Sequence, residues 1–462
     1  MRLLEDAARR AQSYLDSLDC RPVRPDPDAL GRLDELDVPV PPSPVAPESV
    51  LARLDEYGSP ATMAMAGPRF FGFVIGGSLP VTVAANWLAT AWDQNAAYDG
   101  SSPGTARLEA VARRWLLELL DLPRDSAVGF VTGATVANFT ALAAARNAVL
   151  ERQGWAVEAD GLFGAPPIQV VVGDECHPTL LKSLGMLGLG RSRLTRVPVD
   201  EQGRMRADKL PRMTLPAILC LQAGNVNSGA FDPFPALCAA ARDAGAWIHV
   251  DGAFGLWARA SGALSPLAHG LELADSWAAD AHKWLNVPYD SGLAFVRDAR
   301  ALQSAMAITA DYLPAAGARR NPSDFVPELS RRARGIEIWA ALSSLGRTGL
   351  AEMIERHCAQ ARRFASGLAA AGYEILNDVV LNQVVVKFGD AERTRRIIDA
   401  IQHDGTCWAG ITVWRGHVAM RISVSSWATT DADVDRSLEA ILRCARTAAR
   451  AAGQAQPNRQ PL

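Results

Sequence analysis

From Val128 onward the chain returns again and again to short apolar runs that end in small or polar residues. The run beginning at Val128 and residues 168–173, 194–199, 217–222, 246–251 and 292–297 read as buried strands, being apolar, short and bounded by turn residues. Long helical stripes lie between and beside them. Residues 81–92 form an apolar helix. Ser102-Pro103 opens another, with a hydroxyl to cap it and proline at its first position, and its stripe of Leu108, Val111, Ala112, Trp115, Leu116, Leu119 and Leu120 is core packing.

The segment from Ser276 to Phe295 stands apart. It places Lys283 after Asp280 and His282 and before Trp284 and Leu285. Lysine occurs only at Lys182, Lys209, Lys283 and Lys387, and arginine supplies the rest of the positive charge, so Lys283 reads as chosen for its amine. A primary amine can form a Schiff base with an aldehyde, and apolar neighbours favour its neutral, nucleophilic form. The alternative is a core-edge lysine whose stem packs while its head reaches water. Upstream, the strand at 246–251 ends in Asp251, followed by small residues that let a ligand approach the backbone. A carboxylate at the C-terminal end of a parallel strand faces the ligand crevice of an open α/β sheet. Lysine on the aldehyde and aspartate on the ring nitrogen is the arrangement a pyridoxal 5'-phosphate enzyme needs.

A third element follows the strand at Val128, where Gly-Phe-Val-Thr-Gly-Ala-Thr-Val-Ala-Asn forms a strand, a small-residue turn and a helix. The first amides of that helix and the positive end of its dipole make an anion site. Taken alone, such a turn is also an ordinary tight βα connection.

These motifs, in this order, resemble the group II pyridoxal-phosphate-dependent amino acid decarboxylases, relatives of aromatic L-amino-acid decarboxylase and glutamate decarboxylase, over residues 48–445. The resemblance implies the aspartate aminotransferase type of α/β fold, with a large domain built on a mostly parallel seven-stranded sheet and a small C-terminal α/β domain. It implies that Lys283 holds the cofactor, Asp251 its ring nitrogen, and that Gly133, Ala134 and Thr135 cradle its phosphate. It places His177 stacked on the ring, Ala253 packed against it, His282 at the phosphate and Asn225 in a loop near phosphate and ring. Phe73, Val74, Gly76, Asn95 and Tyr98 are then the substrate-side residues, with an aromatic staple as the alternative for the loop that carries Phe73. An acidic substrate would need an arginine there, for which Arg69 is the candidate, and Arg421 matches a carboxylate-binding arginine of related transaminases. Dimerisation, with active sites formed between subunits, is a further implication.

One departure from the family pattern stands out. Anchored on Ser330-Arg331-Arg332-Ala333-Arg334, Pro322 falls where the aromatic amino acid enzymes carry a loop tyrosine that returns a proton after carbon dioxide leaves. Tyr312, Ser323, Asp324 and His177 are the remaining candidates for that proton. Two outcomes therefore stay open: a simple decarboxylase of an amino acid, its side chain apolar or aromatic, or an enzyme with another outcome, such as oxidative deamination to an aldehyde, transamination or cleavage of another Cα bond. A catalytically idle scaffold is the reading the intact motif set argues against.

Organisation and composition fit this. Residues 1–20 form an amphipathic helix, and the stretch from Arg21 to Pro47, with eight prolines, reads as an extended connector. The expected domains are 1–66, an N-terminal helix and wrapping segment; 67–335, the cofactor-binding domain; 336–449, the small domain; and 450–462, a disordered tail. With 49% hydrophobic and 21% charged residues over 462, a large core can form. A net charge of -3 without basic clusters gives no case for nucleic acid or an anionic membrane. Seven cysteines without Cys-x-x-Cys spacing argue against a disulfide framework or a metal site and for a reducing cytoplasm. The N-terminus lacks the apolar core of a signal peptide, and no apolar run reaches about 18 residues.

Overall fold

The computed structural model describes residues 2–308 and 320–454, with side chains to residue 448. The chain clusters into two compact units, Met1–Gly77 with Gln360–Leu376 and Val384–Leu462, and Ser78–Ala359 with Asn377–Gln383.

The second unit is built on seven strands: β1 (Ala127–Val131), β2 (Gln169–Gly173), β3 (Thr195–Val197), β4 (Ala217–Gln222), β5 (Trp247–Asp251), β6 (Ser276–Asp280) and β7 (Gly292–Val296). Their order is β1-β7-β6-β5-β4-β2-β3. Neighbours pair in parallel except at β7, which is antiparallel to both β1 and β6. The reason is length: the link from Asp280 to Gly292 is too short for the crossover that a parallel partner requires. Burial on both faces explains why these strands read as continuous apolar runs. The helix Ala134–Glu151 packs on β5, β6 and β7, and its buried Ala137, Ala141, Ala144 and Ala145 let its axis approach the sheet closely.

The first unit has a four-stranded sheet of β8 (Glu374–Ile375), β9 (Gln383–Lys387), β10 (Gly410–Trp414) and β11 (His417–Ser423), in the order β10-β11-β9-β8. The N-terminal segment clusters with this lobe, tied by the Val23 amide to Gly405 O at 2.8 Å and by Arg69 to Asp433 at 3.0 Å. The helix Gly335–Ala370 crosses the division and breaks its helical geometry at Gly346, whose φ of 59° suits glycine alone.

Local details differ from expectation. The connector after Arg21 is not wholly extended, because Pro27 at a helix start and the Asp26 side chain, which accepts from Asp28 N, nucleate the short helix Pro27–Gly31. Ser102 precedes its helix as expected, yet its hydroxyl donates to Asn95 O at 2.6 Å instead of capping. The closing helix runs to Gln454, past the expected start of the tail at Arg450.

Candidate active site at the carboxyl ends of the strands

Strands β1, β5 and β6 run the same way, so the turn after β1, Asp251 at the end of β5 and the segment after β6 emerge at one edge of the sheet. The helix Ala134–Glu151 begins at Gly133, which makes no side-chain cap; Asp280 takes Ala134 N, and the next amides of the first turn remain for a ligand. Close approach requires glycine here. A Cβ on Gly133 would lie 3.1 Å from His282 Cε1 and 3.3 Å from Asp280 Oδ1, and one on Gly292 would lie 2.4 Å from Gly133 Cα.

Lys283 Nζ pairs with Asp280 Oδ2 at 2.8 Å, and Asp280 Oδ1 accepts from Ala134 N at 2.5 Å. One buried carboxylate thus links the lysine to the turn. Sequence reasoning noted Asp280 beside the lysine and gave it no role. His282 Nδ1 accepts from Ser291 N at 3.1 Å, so in the neutral ring Nε2 carries the proton, 3.5 Å from Asp280 Oδ1. Burial lowers the His282 pKa, opposed by the Asp280 charge. Its ring packs on Tyr289 with centroids 4.3 Å apart. Gly133, Thr135 and a His282 N–H around a helix start whose first amide is held by Asp280 form a cradle and donor set that fit a phosphate.

Asp251 is buried, its Oδ1 accepting from Ala253 N at 3.2 Å and its Oδ2 from Asn138 Nδ2 at 3.2 Å. Ala253 O in turn accepts from Asp280 N at 2.8 Å, which ties the ends of β5 and β6 together. His177 begins the helix Pro178–Met186, and its Nδ1 accepts from Thr179 N at 3.3 Å. His177 and Asp251 line one small enclosed cavity together with Glu175 and Cys176. Burial pushes the Cys176 thiol up to about 11, so it stays protonated.

Other expected residues are placed differently. Asn225 is buried, with Oδ1 accepting from Asn227 N at 2.8 Å and Ser228 N at 3.2 Å and Nδ2 donating to Glu175 at 3.0 Å. Its amide shapes its own loop. Phe73, Val74 and Gly76 belong to the first unit, whereas Asn95 and Tyr98 belong with Lys283 to the second. Phe73, 58% exposed, stacks with Trp408 at 5.9 Å, Phe70 stacks on the same indole at 5.0 Å, and Val74 and Gly76 are buried. A Cβ on Gly72 would overlap that indole at 2.0 Å, so the glycine-aromatic pattern serves the staple around Trp408. Asn95 donates to Ser330 Oγ at 3.2 Å, and the Tyr98 hydroxyl is buried without a partner among the described residues. Arg69 donates to Asp433, Thr406 O and Asp19 O and is thereby spent on its own lobe. Arg421 lies on β11, its guanidinium lowered by burial to about 10.

Pro322 lies buried in the 3-10 turn Pro322–Phe325, and Ser323 N donates to Ala97 O at 3.0 Å. The segment that follows is held by Arg331, which forms a buried bidentate pair with Glu109 at 2.7 and 2.8 Å. Breaking such a pair from one side costs about 3–5 kcal/mol. Asp324 is half-buried, and desolvation raises its pKa. Tyr312 lies outside the described residues.

The family description "Pyridoxal-dependent decarboxylase conserved domain" matches residues 32–388. The aromatic-L-amino-acid decarboxylase of Bacillus atrophaeus is 26% identical over 388 residues, 79% of this chain and 78% of the relative. The phenylacetaldehyde synthase of Arabidopsis thaliana is 25% identical, covering 74% of each chain. Among solved structures, Oryza sativa TDC with PLP and tryptamine superposes with a TM-score of 0.90 at 23% identity, covering 96% of this chain and 97% of that one, a likeness of fold.

Proposed function

The chain belongs to the pyridoxal-dependent decarboxylase family, which makes it a pyridoxal-phosphate-dependent carboxy-lyase, and on that premise we propose that it decarboxylates an L-amino acid with an apolar or aromatic side chain. The observation that carries the assignment of residues is the Asp280 carboxylate, which touches both the Lys283 amine and the Ala134 amide. Lysine and phosphate turn are therefore neighbours around one space.

When bound, the cofactor supplies an electron sink for the bond that breaks at Cα. The chain supplies the rest. Lys283 provides the amine that attaches the cofactor. Asp251, held by Ala253 N and Asn138, accepts from the ring nitrogen. Gly133, Thr135 and the Nε2–H of His282 would hold the phosphate by charge-assisted hydrogen bonds, joined by Ala134 N once Asp280 gives it up. His177, which shares a cavity with Asp251, would lie against the ring and help to orient the substrate carboxylate. Arg69, the candidate for an acidic side chain, is engaged elsewhere, which favours an uncharged substrate. The helix Pro80–Trp92 exposes Val81, Trp87, Leu88 and Trp92, apolar surface that fits a homodimer. All seven cysteines are free, which fits a cytoplasmic protein.

A second reading has one observation of its own. Pro322 occupies a buried turn at the position where the family resemblance implies a proton-returning tyrosine, so the site can instead consume dioxygen and water and yield aldehyde, carbon dioxide, ammonia and hydrogen peroxide. One experiment separates the two: incubate the loaded protein with single amino acids and record carbon dioxide and product mass together. Carbon dioxide with the matching amine supports the first reading; aldehyde with peroxide supports the second; neither product from any amino acid overturns both. Lys283→Ala is expected to abolish turnover and the visible absorbance of bound cofactor.

A further inference from the structure

A chain of buried polar groups runs behind Asp251. Asn138, on the helix Ala134–Glu151, donates Nδ2–H to Asp251 Oδ2, and its Oδ1 lies 2.8 Å from His249 Nε2. His249 Nδ1 lies 2.9 Å from Ser276 Oγ, which also receives the Trp247 Nε1–H at 2.9 Å. All five side chains are buried.

Both ends of this chain have fixed polarity. Tryptophan Nε1 only donates, and an ionised carboxylate only accepts. At the Trp247 end, Ser276 Oγ accepts the indole N–H and keeps its own hydroxyl hydrogen available to donate to His249 Nδ1. From the Asp251 end, Asn138 must present its NH₂ to the carboxylate and therefore its oxygen to His249 Nε2, which must carry a proton. The two deductions meet at one ring form, the neutral Nε2–H imidazole.

We propose that Asn138 and His249 are positioning residues for the reaction: through this one-way relay they hold the Asp251 carboxylate by Oδ2 and keep its remaining acceptor capacity turned toward the cofactor ring nitrogen. This rests on the reading of Asp251 as the partner of that nitrogen. Desolvation lowers the His249 pKa to about 3, so the ring stays neutral and cannot take the carboxylate's place as proton acceptor. Ala253 N secures Oδ1 from the other side, and the relay removes the remaining rotational freedom. An apolar residue at 249 would strand Asn138 Oδ1 and the Ser276 hydroxyl. Glutamine offers an N–H and an oxygen in the same sense and can bridge them.

The test uses full-length protein loaded with pyridoxal 5'-phosphate and labelled with ¹⁵N-histidine, the His249 signals being those lost in His249→Gln. The expected result is a protonated Nε2 and a bare Nδ1. A protonated Nδ1, or an imidazolium, in the parent protein overturns the relay. Cofactor affinity, followed by absorbance titration, gives the second readout. Asn138→Asp, which sets an acceptor against an acceptor, and His249→Leu should each weaken binding by about tenfold, while His249→Gln stays within about threefold of the parent. Equal losses in His249→Leu and His249→Gln, or none in His249→Leu, count against the proposal. Should the assignment of Asp251 be at fault instead, the relay tautomer would be present but Asn138→Asp would leave the cofactor's visible spectrum unchanged.

Discussion

Asp251 and Asp280 end neighbouring parallel strands, and both are buried, yet they are held in opposite ways. Asp251 is held by neutral donors, an asparagine amide and a backbone N–H. Asp280 pairs with the Lys283 ammonium and lies beside His282. The first arrangement fixes a negative charge in one direction for a partner yet to arrive. The second places a negative charge where it must share space with an incoming phosphate, and its partner lysine has to lose a proton to react. One end of the site is set before the cofactor binds; the other has to be rearranged by it.

Substitutions can break that comparison. The largest effect is expected for Asp251→Ala, which removes the proposed ring-nitrogen partner while leaving Lys283 in place. Turnover should fall by roughly 10²–10³, the range for loss of one preorganised electrostatic contact, with cofactor still attached by absorbance. A fall of only a few-fold would show that the ring nitrogen is served elsewhere.

The relay behind Asp251 predicts a pH signature. A buried histidine with its pKa lowered from the usual 6.5 to about 3 favours the folded state fully above about 6.5, and that contribution is lost as pH falls toward about 3. Over the window from about pH 6 to about pH 4, unfolding free energy should decline with pH by about 1.4 kcal/mol per unit more steeply in the parent than in His249→Gln. Denaturant titrations at several pH values measure the slope, and identical slopes would mean that the ring is not held neutral.

The smallest effect is expected at the other carboxylate. Asp280→Asn keeps an oxygen for Ala134 N and removes the charge beside the phosphate and the lysine. Cofactor binding should tighten by up to about tenfold in a fluorescence titration. Weaker binding would instead make Asp280 a required partner of Lys283.

The legible parts of this protein were those written locally. Most strands of the large sheet are apolar runs, β3 with its Thr-Arg-Val and β6, unread inside the lysine segment, being the exceptions, and Lys283, Asp251 and the Gly133–Thr135 turn sit in short motifs whose residue types suggest a chemistry. What local pattern could not show was where side chains turn once their needs are met nearby. Asn225 satisfies its own loop, Arg69 satisfies carbonyls and Asp433, and the glycines beside Phe73 make room for Trp408, a residue remote in sequence. Pro322, expected on a mobile loop, is packed because the Arg331–Glu109 pair holds the stretch after it against a helix.

The sequence by itself determined the family, the cofactor and most of the strands of the large sheet, because burial period, turn chemistry and a lone amine among apolar neighbours are properties of adjacent residues. Only the tertiary structure decided how Asp251 and Asp280 are held. Asn138 meets Asp251 across 113 positions and His249 across 111, and no spacing rule reaches that far. Contacts of this kind exist only once helix and sheet have packed, since a buried polar group takes whatever partner the packing brings within hydrogen-bond distance.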